Sequence, residues 1–473
     1  MALRPSDRGN RNHSSGRLLS FCCSSLPAFS VIVLLSVLVA GCSSSSGPEA
    51  PVLIICVDGL EMSVVKPMLE RGELPTLAAL INRGVFGYLK TVAPARSPVI
   101  WTTIATGKPD EEHGIHRFCD EKAGTPYTSN ARRVKALWNI TDDHSLSCNL
   151  VGYWITWPAE EINGVVVTQF SSKTQFKHKQ TIKGSLFRNQ EGSTWPPEYI
   201  EEIWPQVEEV SKPENLQRNV LGPVFGDLDE EDLPAGIQKL ISTSRWAFEA
   251  DAIYHAAARR LFREKPADLN IVYYSGTDVI AHRFWCYREP SHYSYTIPER
   301  YKEAFGKSIE NYYRHVDRMA GELVELSPDN TRVILVSDHG MHADFLDGTN
   351  GGKPVLLSAH HKDGPPGVFA AAGPGIRKGP GVGQLLKEKE TGEVGSIYDI
   401  APTVLYLLDL PVGRDMKLGR VLKNILLPQQ LERRAVEYVD THDKGFRPPT
   451  LSISSGEGDD EFMERFRALG YGL

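Results

Sequence analysis

The chain has 473 residues, 41% of them apolar and 23% charged, enough for one large α/β domain or two to three smaller ones. Fifty-two Lys and Arg stand against 59 Asp and Glu, a formal net charge of −7 with no basic block in the body of the chain. That balance speaks against a nucleic-acid or anionic-membrane surface, yet leaves phosphate substrates open, because bound cations would supply positive charge locally.

At the N-terminus, Arg4, Arg8, Arg11 and Arg17 precede an apolar run from Leu26 to Ala40, then Gly41 and Cys42. The run is short for a membrane span and has the layout of an export signal. Val39-Ala40-Gly41-Cys42 resembles the bacterial lipoprotein lipobox. The resemblance implies a signal over 1–42, acylation of Cys42, a Ser-rich tether over 43–50, and an exported, membrane-anchored protein, periplasmic or at the cell surface. A transmembrane anchor and an ordinary cleaved signal are the alternatives. A single acyl chain holds only weakly, so stable anchoring needs several. Cys22 and Cys23 would leave with the signal, and Cys56, Cys119, Cys148 and Cys286 remain, without CxxC spacing. Their pairing is open among three connectivities.

Val52 to Val57 reads as a fully buried strand, an unbroken apolar run. Residues 75–84 read as a helix with a glycine stop, and Ser147–Tyr153 and Val165–Val167 as strands. From about 173 to 245 the periodicity fades among prolines and glutamates; Phe187, Trp195, Trp204 and Phe225 mark an inserted cap rather than a linker. A helix is expected over Arg245–Arg263, a strand ending near Tyr274, and one long helix over Pro298–Leu326. Strands follow at 332–337 and 368–372, then a helical stretch at 396–408. Strands alternating with helices predict a doubly wound α/β fold with a mostly parallel sheet. The catalytic domain is expected over 51–430 and an extension over 431–473, with a solvated tail around Gly456–Glu461.

Acidic and histidine side chains cluster just after the apolar runs: Asp58 after the first, Asp278 and His282 after Leu269–Tyr274, Asp338 and His339 after Arg332–Ser337. Open parallel sheets gather their chemistry at the carboxyl ends of strands, so these groups are expected to meet. The i, i+4 spacing of Asp278 and His282 suits one helical face and one ion. Ser337-Asp338-His339-Gly340 is the most specific short piece, since burying both side chains without a partner is costly. His360 and His361 precede another strand and offer a further imidazole. Ser97, ahead of a helix expected from about Pro98, reads either as a cap or as a nucleophile. No Gly-x-Ser-x-Gly elbow surrounds it, so activation by a metal fits better than a Ser-His-Asp triad. His113, His116 and His342 read as supporting or surface groups. Imidazoles with carboxylates suit zinc, iron or manganese.

Taken in order, Asp58-Gly59, the stretch from Ser97 to Gly107, His113-Gly114-Ile115, Asp278-x-x-x-His282, Ser337–Gly340 and a late histidine resemble the alkaline phosphatase superfamily, nearest its type I phosphodiesterase/nucleotide pyrophosphatase branch. The resemblance covers about Val52 to Leu426. It implies an alkaline phosphatase-like three-layer α/β/α sandwich and hydrolysis of small phosphate esters with two divalent ions, zinc by ligand type. Asp58, Ser97, Asp338 and His339 match the ligands of one ion, with Ser97 the nucleophile. Asp278, His282 and His361 match those of the other, and His360 is the substitute for His361. The branch usually carries an asparagine shortly after His-Gly-Ile; here residues 116–120 hold none, and Arg117 is the candidate replacement. That departure leaves monoesters, phosphonates and sulfuryl groups open beside diesters. A cofactor-independent phosphomutase and a non-catalytic binding lipoprotein are the other readings; export speaks against the first and the full ligand set against the second.

Overall fold

The computed structural model describes residues 47–120, 125–169, 188, 190–226, 233–350, 352–354, 356–388 and 391–450. Nine strands form the central sheet: β1 (Val52–Val57), β2 (Val85–Lys90), β3 (Cys148–Val151), β4 (Gly164–Val167), β5 (Thr194–Trp195), β6 (Leu269–Tyr274), β7 (Arg332–Val336), β8 (Gly367–Ala372) and β9 (Glu393–Ser396). They lie in the order β9-β2-β8-β7-β1-β6-β3-β4-β5, with only β8 and β5 antiparallel to their neighbours. β1 sits between β6 and β7 in register Val57 to Tyr274 and Cys56 to Val336. The carboxyl ends of these three strands are therefore level, and the residues that follow them emerge together.

The period-2 alternation sorts side chains to two faces. Leu53, Ile55 and Val57 of β1 face one core, with helices α1 (Met62–Glu70), α2 (Pro75–Arg83), α5 (Tyr199–Val210), α6 (Ala235–Glu264), α7 (Gly276–Arg288), α8 (Glu299–Phe305) and α9 (Ser308–Leu326). Val52, Ile54 and Cys56 face the other, covered by α3 (Ser97–Thr106), α4 (Leu137–Asp143) and α10 (Ile400–Leu407). The result is the expected α/β/α sandwich, with β1 buried on both faces.

Several boundaries differ from expectation. The long helix expected over 298–326 is two helices, α8 and α9, broken at Gly306-Lys307, where a Cβ on Gly306 would meet the Lys302 carbonyl at 2.5 Å. α6 begins at Ala235 rather than Arg245, because Ile237, Leu240 and Ile241 extend its buried stripe by three turns. β2 was not foreseen. Within the insertion expected over 173–245, Ile203, Val207, Leu216, Val220 and Phe225 pack into the α6 side of the core, and Trp195 belongs to β5; Phe187 lies outside the described residues. Of the expected tether, Glu49 pairs with Arg332 and Arg433 and Ala50 is buried, so its last residues join the folded body. Likewise Tyr438–Val439 pairs with Val412–Gly413, and Asp443 takes an ion pair from Lys108. The expected export signal, Cys42 and the tail after residue 450 lie outside the described residues. No described helix is long and apolar enough to cross a membrane. Cys56, Cys119, Cys148 and Cys286 are all buried, and none forms a disulfide among the described residues.

Candidate active site

Asp58 leaves β1 with its backbone N–H still bonded to Tyr274 O at 3.0 Å, so the carboxylate is fixed by the ladder itself. Gly59 turns the chain at φ +68°, and a Cβ there would lie 3.0 Å from the Cα of Asp278. Only glycine gives both the turn and the close approach of α7. Asp278 is the third residue of α7, one turn before His282. Asp338 and His339 follow β7 after Ser337, whose hydroxyl donates to His339 O at 2.9 Å and accepts from the Leu60 N–H at 2.9 Å. Ser97 opens α3 with Arg96 in the capping position, and no side chain caps that helix. The Ser97 hydroxyl instead points to Asp58 Oδ1, 3.5 Å away.

All of these groups are buried. Ligand-type atoms of Asp58, Asp338 and His339 lie within 4.8 Å of one another, and so do those of Asp278, His339 and His361. His339 Nε2 is 3.2 Å from Asp58 Oδ1 and 3.3 Å from Asp338 Oδ2. Asp278 Oδ1 is 3.3 Å from His282 Nε2 and 3.6 Å from His361 Nε2. His339 and His361 stack at 3.6 Å, which places His339 between the two groups rather than in one alone. His360 stands in neither group: its Nδ1 accepts from the backbone N–H of His361 at 2.7 Å and of Lys362 at 2.9 Å. His113 is tied to Thr103 and to the Ile115 N–H, His116 to Asp110, and His342, exposed, to Asp363.

The electrostatics explain what such a cluster needs. Burial, and then the neighbouring Asp58 charge, drives the Asp338 carboxyl well above its ordinary range. Burial also raises Asp58, but His339, Tyr273 and Trp101 outweigh it and hold that carboxyl low. Burial opposes a charge on His339, yet the Asp338 and Asp58 carboxylates push its pKa up to about 10. His361 is driven well below its ordinary value by burial and by His339, so it is a neutral donor. Asp278 Oδ1 and Asp338 Oδ2 take no hydrogen bond among the described residues. His282 Nδ1 donates to Ala359 O at 2.8 Å and His339 Nδ1 to Gly340 O at 2.9 Å, which leaves each Nε2 facing the carboxylates. Orphaned buried oxygens, opposed carboxylates and oriented imidazoles fit divalent cations, which remove the cost of crowding these charges.

The supporting shell was invisible to motif reading. Asp58 Oδ2 accepts from Tyr273 OH at 2.6 Å and from Trp101 Nε1 at 3.1 Å, which turns Oδ1 toward Ser97. Asp251 of α6 accepts from the N–H groups of Ser275 and Gly276 at 2.8 and 2.9 Å and from Tyr312 OH at 2.8 Å, tethering the start of α7. Glu61 bridges the Ser63 N–H and the Met341 N–H, fastening the turn after β1 to the loop after His339.

Comparison with known proteins gives no match among curated sequences. Among solved structures the chain is similar to phosphonoacetate hydrolase from Sinorhizobium meliloti 1021 in complex with phosphonoformate, at 16% identity and TM-score 0.38, over 65% of this chain and 60% of that one. It is similar to murine ectonucleotide pyrophosphatase/phosphodiesterase 5 at 13% identity and TM-score 0.41, over 76% of this chain and 95% of that one. A putative sulfatase from Bacteroides thetaiotaomicron VPI-5482 aligns at 14% identity and TM-score 0.44, over 83% of this chain and 76% of that one. The sequence model of one family matches residues 52–398, which span β1 through β9 and every residue of the cluster. The chain belongs to the type I phosphodiesterase/nucleotide pyrophosphatase family.

Proposed function

We propose that the protein is an exported, metal-dependent hydrolase of small phosphate esters that works through a covalent phosphoserine. Family membership supports the phosphoric ester hydrolase class. The observation that carries the chemistry is the Ser97 hydroxyl, 3.5 Å from Asp58 Oδ1 at the start of α3, beside both carboxylate–imidazole groups.

One cation would be held by Asp58, Asp338, His339 and Ser97, and the other by Asp278, His282 and His361. Such ions, zinc by donor type, would lower the hydroxyl pKa and offset the charge of the transferred group. Ser97 Oγ releases its proton to solvent and forms a bond to phosphorus as the ester P–O bond breaks, and the departing alkoxide takes up a proton from solvent and leaves as the alcohol. Water then cleaves the Ser97–phosphate bond and frees phosphate. Asp58 keeps Oδ1 aimed at Ser97 because Tyr273 and Trp101 occupy Oδ2. The N-terminus of α3 would turn the positive end of its dipole toward the transferred oxygens, although Pro98 has no N–H and the Val99 and Ile100 N–H groups donate to Arg96 O at 3.0 Å. The segment about 173–245 would shape the leaving-group side. Acylation of Cys42 would anchor the enzyme to a membrane, a reading that rests on the sequence of residues 1–42.

The test is hydrolysis of a nitrophenyl phosphate panel by the full-length protein in detergent, before and after chelation and zinc reloading. Turnover that chelation removes and zinc restores is expected, with a phosphorylated Ser97 peptide in quenched reactions. Ser97→Ala should lose turnover and keep its metal. A Ser97→Ala protein with wild-type rate would overturn the covalent route. Mass analysis of the N-terminal peptide should find acylated Cys42, and an unmodified or internal start would overturn the anchor.

A further inference from the structure

The helix that presents Ser97 is gripped at its far end by residues beyond the reach of the family match. α3 is buried along its whole length, and no side chain caps its first turn. Its other end closes at Gly107, whose N–H donates to Thr103 O at 2.7 Å, and runs straight into Lys108. The Lys108 side chain is only 3% exposed. Its ammonium donates to Asp415 Oδ2 at 2.6 Å and to Asp443 Oδ2. Burial works against that charge, but the two carboxylates outweigh it and raise the pKa. A buried ammonium is tolerated only with such partners, and removing one leaves charge uncompensated in the interior.

The two acids come from the two arms of one brace. Val412–Gly413 pairs with Tyr438–Val439, and the Arg414 N–H donates to Val439 O at 2.8 Å. Asp415 follows the first arm and Asp443 the second. The first arm also packs on the helix end, where a Cβ on Gly107 would lie 3.2 Å from the Met416 side chain. The second arm reaches α4 as well. Asp443 Oδ1 accepts from the Lys135 N–H at 2.9 Å, just before that helix. The Phe446 ring then lies 4.9 Å from the Arg132 guanidinium, which donates to Glu160, and Glu160 accepts from Trp138 Nε1 of α4 at 2.7 Å. Both arms lie beyond residue 398, where the family match ends. The second lies in the stretch expected to be an extension after residue 430.

A short helix moves as a unit, so its axial position is set by whatever grips its ends. The Ser97 end of α3 is left uncapped and carries the reacting hydroxyl, which puts the grip at Gly107-Lys108. Trp101, one turn after Ser97, reports the position of the helix directly, because its Nε1 donates to Asp58 Oδ2 at 3.1 Å. A shift of about 1 Å at a reacting group, even from a change far away, can cost on the order of 100-fold in rate.

We infer that Lys108, Asp415 and Asp443 are positioning residues for the Ser97 nucleophile, and that the catalytic unit therefore includes the brace over 412–446. This rests on the Ser97 reading above and extends it to the far end of α3. The brace acts through the helix alone, since every proposed metal ligand other than Ser97 stands on another element.

The test uses the zinc-loaded full chain with nitrophenyl phosphate as substrate. Well below the melting temperature, Lys108→Met and Asp443→Asn should each lower kcat by ~10-fold or more and leave zinc content at the wild-type value. KM should stay within about twofold, because the loss falls on the reacting geometry. The double variant should lose little beyond Lys108→Met alone, because both changes break one contact. Asp317→Asn is the control. It weakens the acceptor of the Thr76 and Leu77 N–H groups at the start of α2, and should lower melting temperature with kcat unchanged. A second readout needs no turnover. The Trp101 indole N–H resonance of the chelated protein, assigned with Trp101→Phe, should shift in the brace variants and stay in place in Asp317→Asn. Wild-type kcat in folded Lys108→Met or Asp443→Asn overturns the inference, and so does an equal loss of kcat in Asp317→Asn. Should either brace variant fail to fold, Asp415→Asn, which leaves Asp443 on Lys108, decides by the same readouts. Should no ester turn over in the wild type, the hydrolase reading fails and the indole shift alone decides whether the brace positions α3.

Discussion

The hydroxyl of Tyr273 lies 2.6 Å from Asp58 Oδ2, on the carboxylate oxygen turned away from Ser97. It is a charge-assisted bond inside a fully buried site, and it fixes which Asp58 oxygen is left for a cation. Tyr273→Phe removes the donor while keeping the ring that packs on Trp101 at 5.3 Å. The variant should bind metal about 10-fold more weakly or worse, the scale seen when a ligand's outer partner is lost. Metal titration of the chelated protein, with activity read at saturating zinc, checks it. Wild-type affinity would mean that Trp101 alone orients Asp58.

His360 and His361 give opposite expectations although they are neighbours. His361 Nε2 is 3.6 Å from Asp278 Oδ1, and its ring stacks on His339. The Nδ1 of His360 is occupied by two backbone N–H groups. His361→Ala should lower the metal content of the purified protein and its turnover together. His360→Ala should lower melting temperature and leave metal content at the wild-type value. Elemental analysis of the two variants side by side decides, and the reverse pattern would exchange their roles.

Asp338 is costly to the protein without metal. Burial and the adjacent Asp58 charge disfavour its ionised form, and its Oδ2 takes no hydrogen bond among the described residues. Asp338→Asn removes that charge, so the chelated variant should be more stable than the chelated wild type, by about 1–3 kcal/mol. Zinc should then stabilise the wild type far more than the variant, because mass action on a tight site adds about 2.7 kcal/mol at a hundredfold excess over Kd. Thermal melts with and without chelator read both effects. A chelated variant less stable than wild type would show that the Gly59 N–H bond to Asp338, 3.3 Å, matters more than the repulsion.

The start of α7 carries two of the proposed ligands and hangs on Asp251, 25 positions before Gly276 in another helix. Asp251→Ala leaves the Ser275 and Gly276 N–H groups and Tyr312 OH without their acceptor. Each buried donor so abandoned costs about 1–3 kcal/mol, so a large loss of melting temperature is expected. Metal affinity should fall as well, since Asp278 and His282 move with the helix end. An Asp251→Ala protein with unchanged metal affinity would show that Gly59 and Ala359 position α7 without it.

The strand ends were legible because β1, β6 and β7 are buried on both faces and read as largely apolar runs, interrupted only by Asn270 and the leading Arg332, that stop at a polar residue. The supporting aromatics were not. Tyr273 reads as a core residue until the register sets it opposite Cys56, on the face that Asp58 shares two residues on. Trp101 follows Ser97 by one helical turn, a spacing equally suited to packing. β2 escaped because Gly87 interrupts its alternation; a Cβ there would lie 2.4 Å from the Gly392 carbonyl, a closeness only the fold reveals. Choosing between two adjacent histidines also needs the third dimension, since both are buried and what separates them is the reach of His361 Nε2 to Asp278 against the backbone N–H groups on His360 Nδ1. Asp251 offered no local signal, as a carboxylate inside a long helix is ordinarily solvated.

Acid should weaken the fold through two buried histidines outside the proposed ligand set. His315, in α9, is pushed down to about 3 by burial and then by Arg318, whose guanidinium donates to its Nδ1 at 2.7 Å. His113 is likewise held at about 3 by burial, with its Nδ1 accepting from the Ile115 N–H. In the unfolded chain both would titrate near the ordinary value of about 6.5. Between about pH 6.5 and 3 the unfolded state therefore binds more protons than the folded state, so stability falls as pH falls through that window. The slope approaches about 1.4 kcal/mol per pH unit for each group. Above pH 6.5 both histidines are neutral in either state and contribute no slope. His315→Leu removes one titrating group and its demand to stay neutral, and should flatten the acid limb by about that slope. Urea melts of wild type and variant, run at matched pH from 7 down to 4, read the difference directly. Parallel stability curves across that range would show that Arg318 is displaced and His315 accepts its proton at little cost.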